Sequence, residues 1–332
     1  LENSIPKVDF IIHLAGENKP KNVKDFQISN VHLTARICEI VQKNRKKIPI
    51  IFSSSTQATL DNPYGKSKKD AEDLLTSFSK NTGNPVAIYR LPGIFGKWSR
   101  PNYNSVVATF CFNIANNKKI EIHDPDANIS LIYIDDVMNL FEQYLNNTDS
   151  RLIYPDISPT YEVNVSELAE TIKAFKESRN NLISENVGTG FQRALYSTYL
   201  SYLNISQISY PLISHDDKRG MFVEMLKTKD SGQFSFFTIN PGITRGQHYH
   251  HTKTEKFLVV RGSATFRFKN LCTEESSQLT VSSSDLVIVE SIPGWAHDIS
   301  NQTDEETLVM LWANENFNPN NPDTIQYSLD EN

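Results

Sequence analysis

Three histidines and a glutamate, His248, His250, Glu255 and His297, are the residues whose types and spacing speak most directly of chemistry. Neutral imidazoles and a carboxylate are donors for divalent metals, and a three-His, one-carboxylate set suits zinc, nickel, iron or manganese, with zinc the expected ion. In an extended strand the side chains at i and i+2 leave the same face, so His248 and His250 can aim at one point. Glu255 would come from the neighbouring part of a hairpin and His297 from a later strand, with Gly262 and Gly294 at turns. A single histidine on its own would be an ordinary surface or core residue. Four ligand types at this spacing imply a metal site, with His251 beside it as a rim residue rather than a fifth ligand.

A second constellation lies in the N-terminal half. Tyr64 and Lys68 are four residues apart, hence on one face of a helix. An ammonium there lowers the phenol pKa and fits a tyrosine for proton transfer near neutral pH. Tyr-x-x-x-Lys is common by chance. It gains weight from Ser53-Ser54-Ser55-Thr56 just upstream, at the end of an apolar strand, where open parallel sheets place their ligands. A hydroxyl there would hydrogen-bond a substrate carbonyl.

The elements that must hold these residues change character along the chain. Apolar runs at 8–14, 48–54 and 85–91 alternate with amphipathic stretches near 23–43 and 63–82, which predicts a Rossmann-like α/β domain with a parallel sheet. Further helices are expected from Ser166 to about Lys176 and from Phe191 to Leu203. After residue 204 the pattern becomes two-residue alternation, as in Gln233–Ile239 and Ala264–Phe268, punctuated by Asn-Pro-Gly and Arg-Gly turns, which predicts an all-β domain. The polar stretch 214–220 marks the expected junction, giving domains 1–213 and 214–332.

At 332 residues the chain exceeds one hydrophobic core, and 39% hydrophobic residues suffice for two. A net charge of -6, with basic and acidic residues interspersed, offers no footprint for nucleic acid or an anionic membrane. Three scattered cysteines fit a reducing compartment, and no apolar run approaches the roughly 20 residues of a membrane span. A cytoplasmic protein is expected.

With these residues in view, the metal constellation resembles both motifs of the cupin superfamily: Gly242, His248, His250, Glu255 and Gly262 match the first, and Gly294, His297 and Asn301 the second, with Pro293 shifted from its usual place. Residues 8 to 180 resemble the extended short-chain dehydrogenase/reductase family. His13-Leu14-Ala15-Gly16 is similar to its strand-end motif beside the cofactor, Asn30 and Thr34 to its structural Asn-x-x-x-Thr, the segment Arg90 to Gly96 to the stretch bordering cofactor and substrate, and Tyr133 to Val137 to its late strand-to-helix motif. That likeness implies NADP(H) beside His13, Leu14, Ala15, Gly16, Tyr64, Lys68 and Leu91, and a catalytic set of Ser55, Tyr64 and Lys68, with Ser54 or Thr56 as alternatives to Ser55. The sequence holds no Gly-x-x-Gly-x-x-Gly loop to cradle a dinucleotide pyrophosphate. With no Met at position 1, a piece of a longer gene is expected rather than a domain that has lost its cofactor.

The pairing itself resembles the bifunctional capsular polysaccharide synthesis enzymes. This implies a UDP-4-keto-6-deoxy-N-acetylhexosamine substrate, epimerised at C3 by the cupin and reduced at C4 with NADPH to UDP-2-acetamido-2,6-dideoxy-L-talose, towards UDP-N-acetyl-L-fucosamine. His251, Lys256 and Asp298 are the sequence neighbours open to proton transfer, and Lys97 to Tyr103 would border the nucleotide-sugar pocket. Cupin barrels often pair through strands, so a homodimer is expected. The competing readings are a reductase with a purely structural cupin, a non-catalytic sugar-nucleotide binding protein, and a cupin dioxygenase, the last of which leaves Tyr64 and Lys68 unexplained.

Overall fold

The computed structural model describes residues 1–44, 47–147 and 152–330. The chain divides into two compact units, Leu1–Lys173 with Thr189–Leu203, and Ala174–Gly188 with Asn204–Asn332. The stretch 214–220, expected as a linker, is instead a hairpin: Ser214–Asp217 pairs antiparallel with Gly220–Val223, and Asp217 turns the corner by accepting from the Arg219 amide and guanidinium.

In the first unit, strands β1 (Ile11–His13), β2 (Ile50–Ser55), β3 (Val86–Leu91) and β6 (Leu152–Ile153) form a parallel sheet in that order. Ile50–Phe52 of β2 and every residue of β3 but Arg90 are apolar or aromatic because both faces of the sheet are covered there. Ile50, Phe52, Val86 and Ile88 meet helices α2 (Leu33–Lys43) and α3 (Pro63–Thr82) on one face. Ile51, Ala87, Tyr89 and Leu91 meet α5 (Ile134–Asn146) on the other. A second small sheet, β4 (Gly93–Phe95), β5 (Asn128–Tyr133) and β7 (Tyr161–Asn164), was not foreseen, its strands being short and broken by polar residues.

Helix α3 carries Tyr64 and Lys68, and its placement is strongly determined. Asn62 caps it by accepting from the Gly65 amide at 2.8 Å, Pro63 opens it, and Gly83 in the left-handed region closes it. Gly65 allows its first turn to press on the turn before it, where a Cβ would stand 2.1 Å from the Gln57 carbonyl oxygen. Glu72, with no exposed surface, then ties the helix to the sheet: it accepts from Ser54 Oγ of β2 at 2.6 Å and from both Nε and Nη2 of Arg90 of β3.

The second unit is an antiparallel barrel of cupin type, with a small strand β8 (Ile183–Ser184) joining its edge. One sheet runs β16 (Ile288–Glu290), β13 (Glu255–Arg261), β18 (Thr307–Ala313), β11 (Gln233–Ile239), β10 (Gly220–Thr228). The other runs β15 (Ser276–Ser282), β14 (Ser263–Asn270), β17 (Trp295–Ser300), β12 (Thr244–Tyr249), β19 (Ile325–Gln326). Phe237, Phe257, Val259 and Val309 of the first interdigitate with Ala264, Phe266, Val281 and Ile299 of the second. The barrel therefore has an apolar core of its own.

Replacing Glu72 by Ala orphans Ser54 and unpins α3. Urea unfolding should show a loss of about 2–3 kcal/mol, less than the full cost of breaking a buried pair because Arg90 keeps 35% side-chain exposure. An unchanged midpoint would mean that α3 is held by packing alone.

Candidate functional site

At the carboxyl ends of β1, β2 and β3 lies an open cleft of about 620 Å³, lined among others by Leu14, Gly16, Ser55, Tyr64, Lys68 and Leu91. Of the three hydroxyl candidates, all of which line the cleft, Ser54 is committed to Glu72, Ser55 accepts from the Gln57 amide at 3.2 Å, and Thr56 opens the following turn; Ser55 also stands close enough to the Tyr64 phenol to lower its pKa. Lys68 is 5% exposed and donates to the Ser53 carbonyl at 2.8 Å. Its ammonium does not lower the phenol as the spacing suggested: burial raises the Tyr64 pKa, offset in part by Ser55. Burial brings Lys68 itself down to about 8, against the pull of Glu72.

Leu14 and Gly16 reach the cleft, but His13 and Ala15 are not among its lining residues. His13 is 3% exposed, pairs through Nε2 with Thr34 Oγ1 at 2.9 Å, and is pushed down to about 4 by burial and then by Lys68. A neutral, internally bonded imidazole supports the loop rather than touching a ligand. Asn30 does the same from a π-helical segment, Gln27–His32: its side chain accepts from the Glu17 amide and donates to the Glu17 carbonyl and Ser67 Oγ. The loop is thereby fixed so closely that a Cβ on Gly16 would lie 2.8 Å from Asn30 Oδ1 and 3.4 Å from Lys68 Nζ. Gly16 and Lys68 stand side by side on the wall of the cleft. Of the stretch from Lys97 to Tyr103, Ser99, Arg100 and Tyr103 line the cleft, whereas Lys97 pairs with Asp135 and Trp98 is 87% exposed.

In the second unit the four sequence-predicted ligands converge: donor atoms of His248, His250, Glu255 and His297 all lie within 4.8 Å of one another. His248 and His297 are cross-strand partners on β12 and β17. The simple i, i+2 picture needs amendment, because β12 bulges between Gly246 and His248, Gln247 takes φ 59°, and His250 falls just past the strand end. Gly246 permits the bulge, since a Cβ there would be 3.0 Å from backbone atoms of His297 and Asp298.

The hydrogen bonding around this cluster fits a cation. His250 Nδ1 faces the Asp323 carbonyl oxygen, which can only accept, so Nδ1 carries the proton. In the neutral ring, Nε2 then presents a lone pair to Glu255 Oε2 at 3.2 Å. His248 Nε2 and both ring nitrogens of His297 are buried without hydrogen bonds, and His297 Nε2 stands 3.3 Å from the same carboxylate oxygen. Acceptors crowding one point is costly unless a cation lies among them. Burial, then His297, pushes His248 down to about 3. Burial would raise Glu255; N–H donation from His250 and His297 in their proton-bearing forms, and then the Lys253 charge, lowers it well below the usual carboxylate range, and a bound cation would act in the same direction in place of those protons. Both therefore stand in the deprotonated form that ligands need.

Sequence reasoning missed three supporting residues: Glu72, Lys253, whose Nζ meets Glu255 Oε1 at 3.0 Å, and Asp323, more than seventy residues from the histidine it touches. Only Glu72 left a signal, an acid one helical turn after Lys68. Of the proton-transfer candidates, Asp298 is locked to Arg267, Lys256 pairs with Glu290 at the surface, and His251 is exposed beside Tyr249.

Residues 1–157 match the NAD dependent epimerase/dehydratase family, and residues 215–325 match the polysaccharide biosynthesis C-terminal domain. A UDP-2-acetamido-2,6-β-L-arabino-hexul-4-ose reductase of Pseudomonas aeruginosa is 50% identical over 331 residues, covering 100% of this chain and 89% of its own length. The crystal structure of the capsular polysaccharide assembling protein CapF from Staphylococcus aureus superposes with a TM-score of 0.89 at 41% identity, over 99% of this chain and 89% of that one. A structure of CapF with the inhibitor 3-isopropenyl-tropolone gives 0.84 at 37% identity, over 99% and 88% of the two chains.

Purified protein should carry about one divalent metal per chain by mass spectrometry of the elements. His248→Ala and His297→Ala should lose it while keeping the circular dichroism of the barrel, whose core does not include these ligands. Full metal retention in both variants would contradict the site.

Proposed function

This chain belongs to the family of CapF and the UDP-2-acetamido-2,6-β-L-arabino-hexul-4-ose reductase of Pseudomonas aeruginosa, and we propose that it performs two steps on one UDP-linked 4-keto-6-deoxy-N-acetylhexosamine. The cupin module, residues 214–332, epimerises C3. The reductase module, residues 1–213, reduces the C4 ketone with NADPH to give UDP-2-acetamido-2,6-dideoxy-L-talose, a precursor on the way to UDP-N-acetyl-L-fucosamine for a surface polysaccharide. The observation that carries the reading is the convergence of Ser55, Tyr64 and Lys68 in one cleft, in a chain half identical to a reductase of a UDP-linked 4-ulose.

Reduction adds a hydride to C4 and a proton to its oxygen. Gly16 and Lys68 would hold the reduced nicotinamide, which when bound would supply the hydride. Tyr64 supplies the proton: burial raises its pKa, so it is protonated at neutral pH and competent as an acid. Ser55, bonded to the same phenol, orients the ketone oxygen. Lys68 places a positive charge under the site, where it holds the ribose and stabilises the tyrosinate left after proton transfer.

Epimerisation needs the C3 hydrogen, which is acidic because it is alpha to the C4 ketone. His248, His250, Glu255 and His297 would hold a divalent cation, whose Lewis acidity toward the substrate oxygens lowers the barrier to removing that proton. A tropolone inhibits CapF, and the vicinal oxygens of tropolones are donors for divalent cations, which favours a metal that substrate can reach over a closed structural one.

With NADPH and the 4-keto sugar nucleotide, Tyr64→Phe in the intact protein should lower kcat for ketone reduction by on the order of 10²–10⁴-fold, the usual worth of a general acid. Ser55→Ala should cost less. Reduction at the wild-type rate in Tyr64→Phe would remove the proposed acid. Since burial holds Lys68 near 8, its positive charge is present below that pH and lost above it, so kcat/KM for NADPH should be level around pH 7 and fall as pH rises through about 8. A profile flat to pH 10 would show that the charge on Lys68 is not used.

A further inference from the structure

The last described stretch of the chain makes hydrogen bonds to nearly every residue that builds the metal centre's first loop. β19 adds to β12 so that Gln326 pairs with His248 and Ile325 with Tyr249, and the Tyr327 amide donates to the Gln247 carbonyl at 2.8 Å, just at the bulge. Asp323 then does two things at once. Its main-chain carbonyl accepts from His250 Nδ1. Its carboxylate accepts from the amides of His251 at 2.9 Å, Thr252 at 2.7 Å and Lys253 at 2.8 Å, and from Thr252 Oγ1 at 3.0 Å. Asp330, further along, accepts from Gln247 Nε2 and Arg267 Nη1 and closes the strap over β12.

The consequences follow from bond direction. A carbonyl oxygen can only accept, so docking the strap selects the His250 tautomer with the proton on Nδ1 and frees Nε2 toward Glu255. Three consecutive amides converging on one carboxylate fix the loop 251–253, and its last residue, Lys253, in turn holds Glu255 Oε1 and leaves Oε2 facing His250 and His297. Two of the four donors are therefore oriented by a residue outside the cupin motifs.

We propose that Asp323 is the positioning residue of the metal centre, and that the strap 323–330 assembles the ligand set rather than merely wrapping the barrel. The proposal rests on the reading of His248, His250, Glu255 and His297 as a metal site. Residues that orient metal ligands are typically worth 10–100-fold in affinity. Asp323→Ala should therefore weaken zinc binding by about that factor, and Asp323→Asn, which keeps an acceptor for the amides, should recover much of it.

The test titrates metal-free intact protein with zinc against a chromophoric chelator, for wild type, Asp323→Ala and Asp323→Asn, and reads the His250 tautomer by long-range ¹H–¹⁵N NMR in the metal-free wild type. The expected result is graded affinity, wild type above Asn above Ala, with Nδ1 protonated in wild type. Equal affinity in folded Asp323→Ala overturns the proposal while leaving the metal site intact. The main-chain carbonyl facing His250 survives these substitutions, so the variants test the carboxylate's hold on residues 251–253 and the tautomer tests the carbonyl; if Asp323→Ala does not fold, Asp323→Ser takes its place, with equal affinity again overturning the proposal, as does a His250 protonated at Nε2. A wild type that binds no zinc, nickel, iron or manganese overturns the metal site and the proposal together.

Discussion

A carboxylate removed from water must be matched by donors or cations, and each half of this chain is built around one such group. Glu72 has no exposed surface and Glu255 is 5% exposed. Around Glu72 the chain gathers Ser54 from β2 and Arg90 from β3, which sets the rotation and height of α3 against the sheet. Tyr64 and Lys68 inherit their positions from that contact. Around Glu255 it gathers Lys253, His250 and His297, and the main-chain amide of Glu255 is itself held by Ser291.

The two carboxylates differ in how completely they are matched, and the difference separates a structural group from a functional one. Glu72 receives hydrogens on both oxygens and asks for nothing more. At Glu255, Oε1 is matched by Lys253, but Oε2 faces imidazole nitrogens, and in a neutral His250 ring whose Nδ1 is committed to Asp323 the facing nitrogen presents a lone pair. That mismatch, with three further ring nitrogens left without hydrogen bonds among the described residues, is what a bound cation would relieve. The same contrast appears among the hydroxyls of β2, where Ser54 is consumed by Glu72 and Ser55 stays at the cleft beside Tyr64.

Much of this was legible in the sequence where residue type and period act locally. Asn62-Pro63 and Gly83 bound α3 as their chemistry dictates, and the apolar runs of β2 and β3 declare a sheet covered on both faces. The convergence of His248, His250, Glu255 and His297 was also readable, because these residues lie on strands and turns with a narrow spacing. What was not legible depends on contacts distant in sequence. The Ser54–Glu72 bond commits one of the cleft's serine hydroxyls to the helix, and no spacing rule contains it. Burial, not the i+4 spacing to Lys68, sets the direction of the Tyr64 shift, and burial is a property of the folded cleft. Asp323 looks in sequence like an ordinary turn residue after Pro322, and only the pairing of β19 with β12 brings it to His250. The polar hairpin at 214–220 read as a linker because its strands carry charges on exposed faces, where period-two hydrophobicity has nothing to bury.

The central claim is that one chain joins a metal-assisted proton transfer at C3 to a hydride reduction at C4, and the first step can be observed without the second. The decisive measurement is deuterium incorporation from D₂O at C3 of the UDP-linked 4-keto sugar with no NADPH present, using metal-loaded protein, chelated protein and His248→Ala. Exchange is expected in the metal-loaded protein alone, unaffected by Tyr64→Phe. Equal exchange after chelation, or none in folded, metal-loaded protein, would contradict it and leave the cupin a structural module beside a simple reductase.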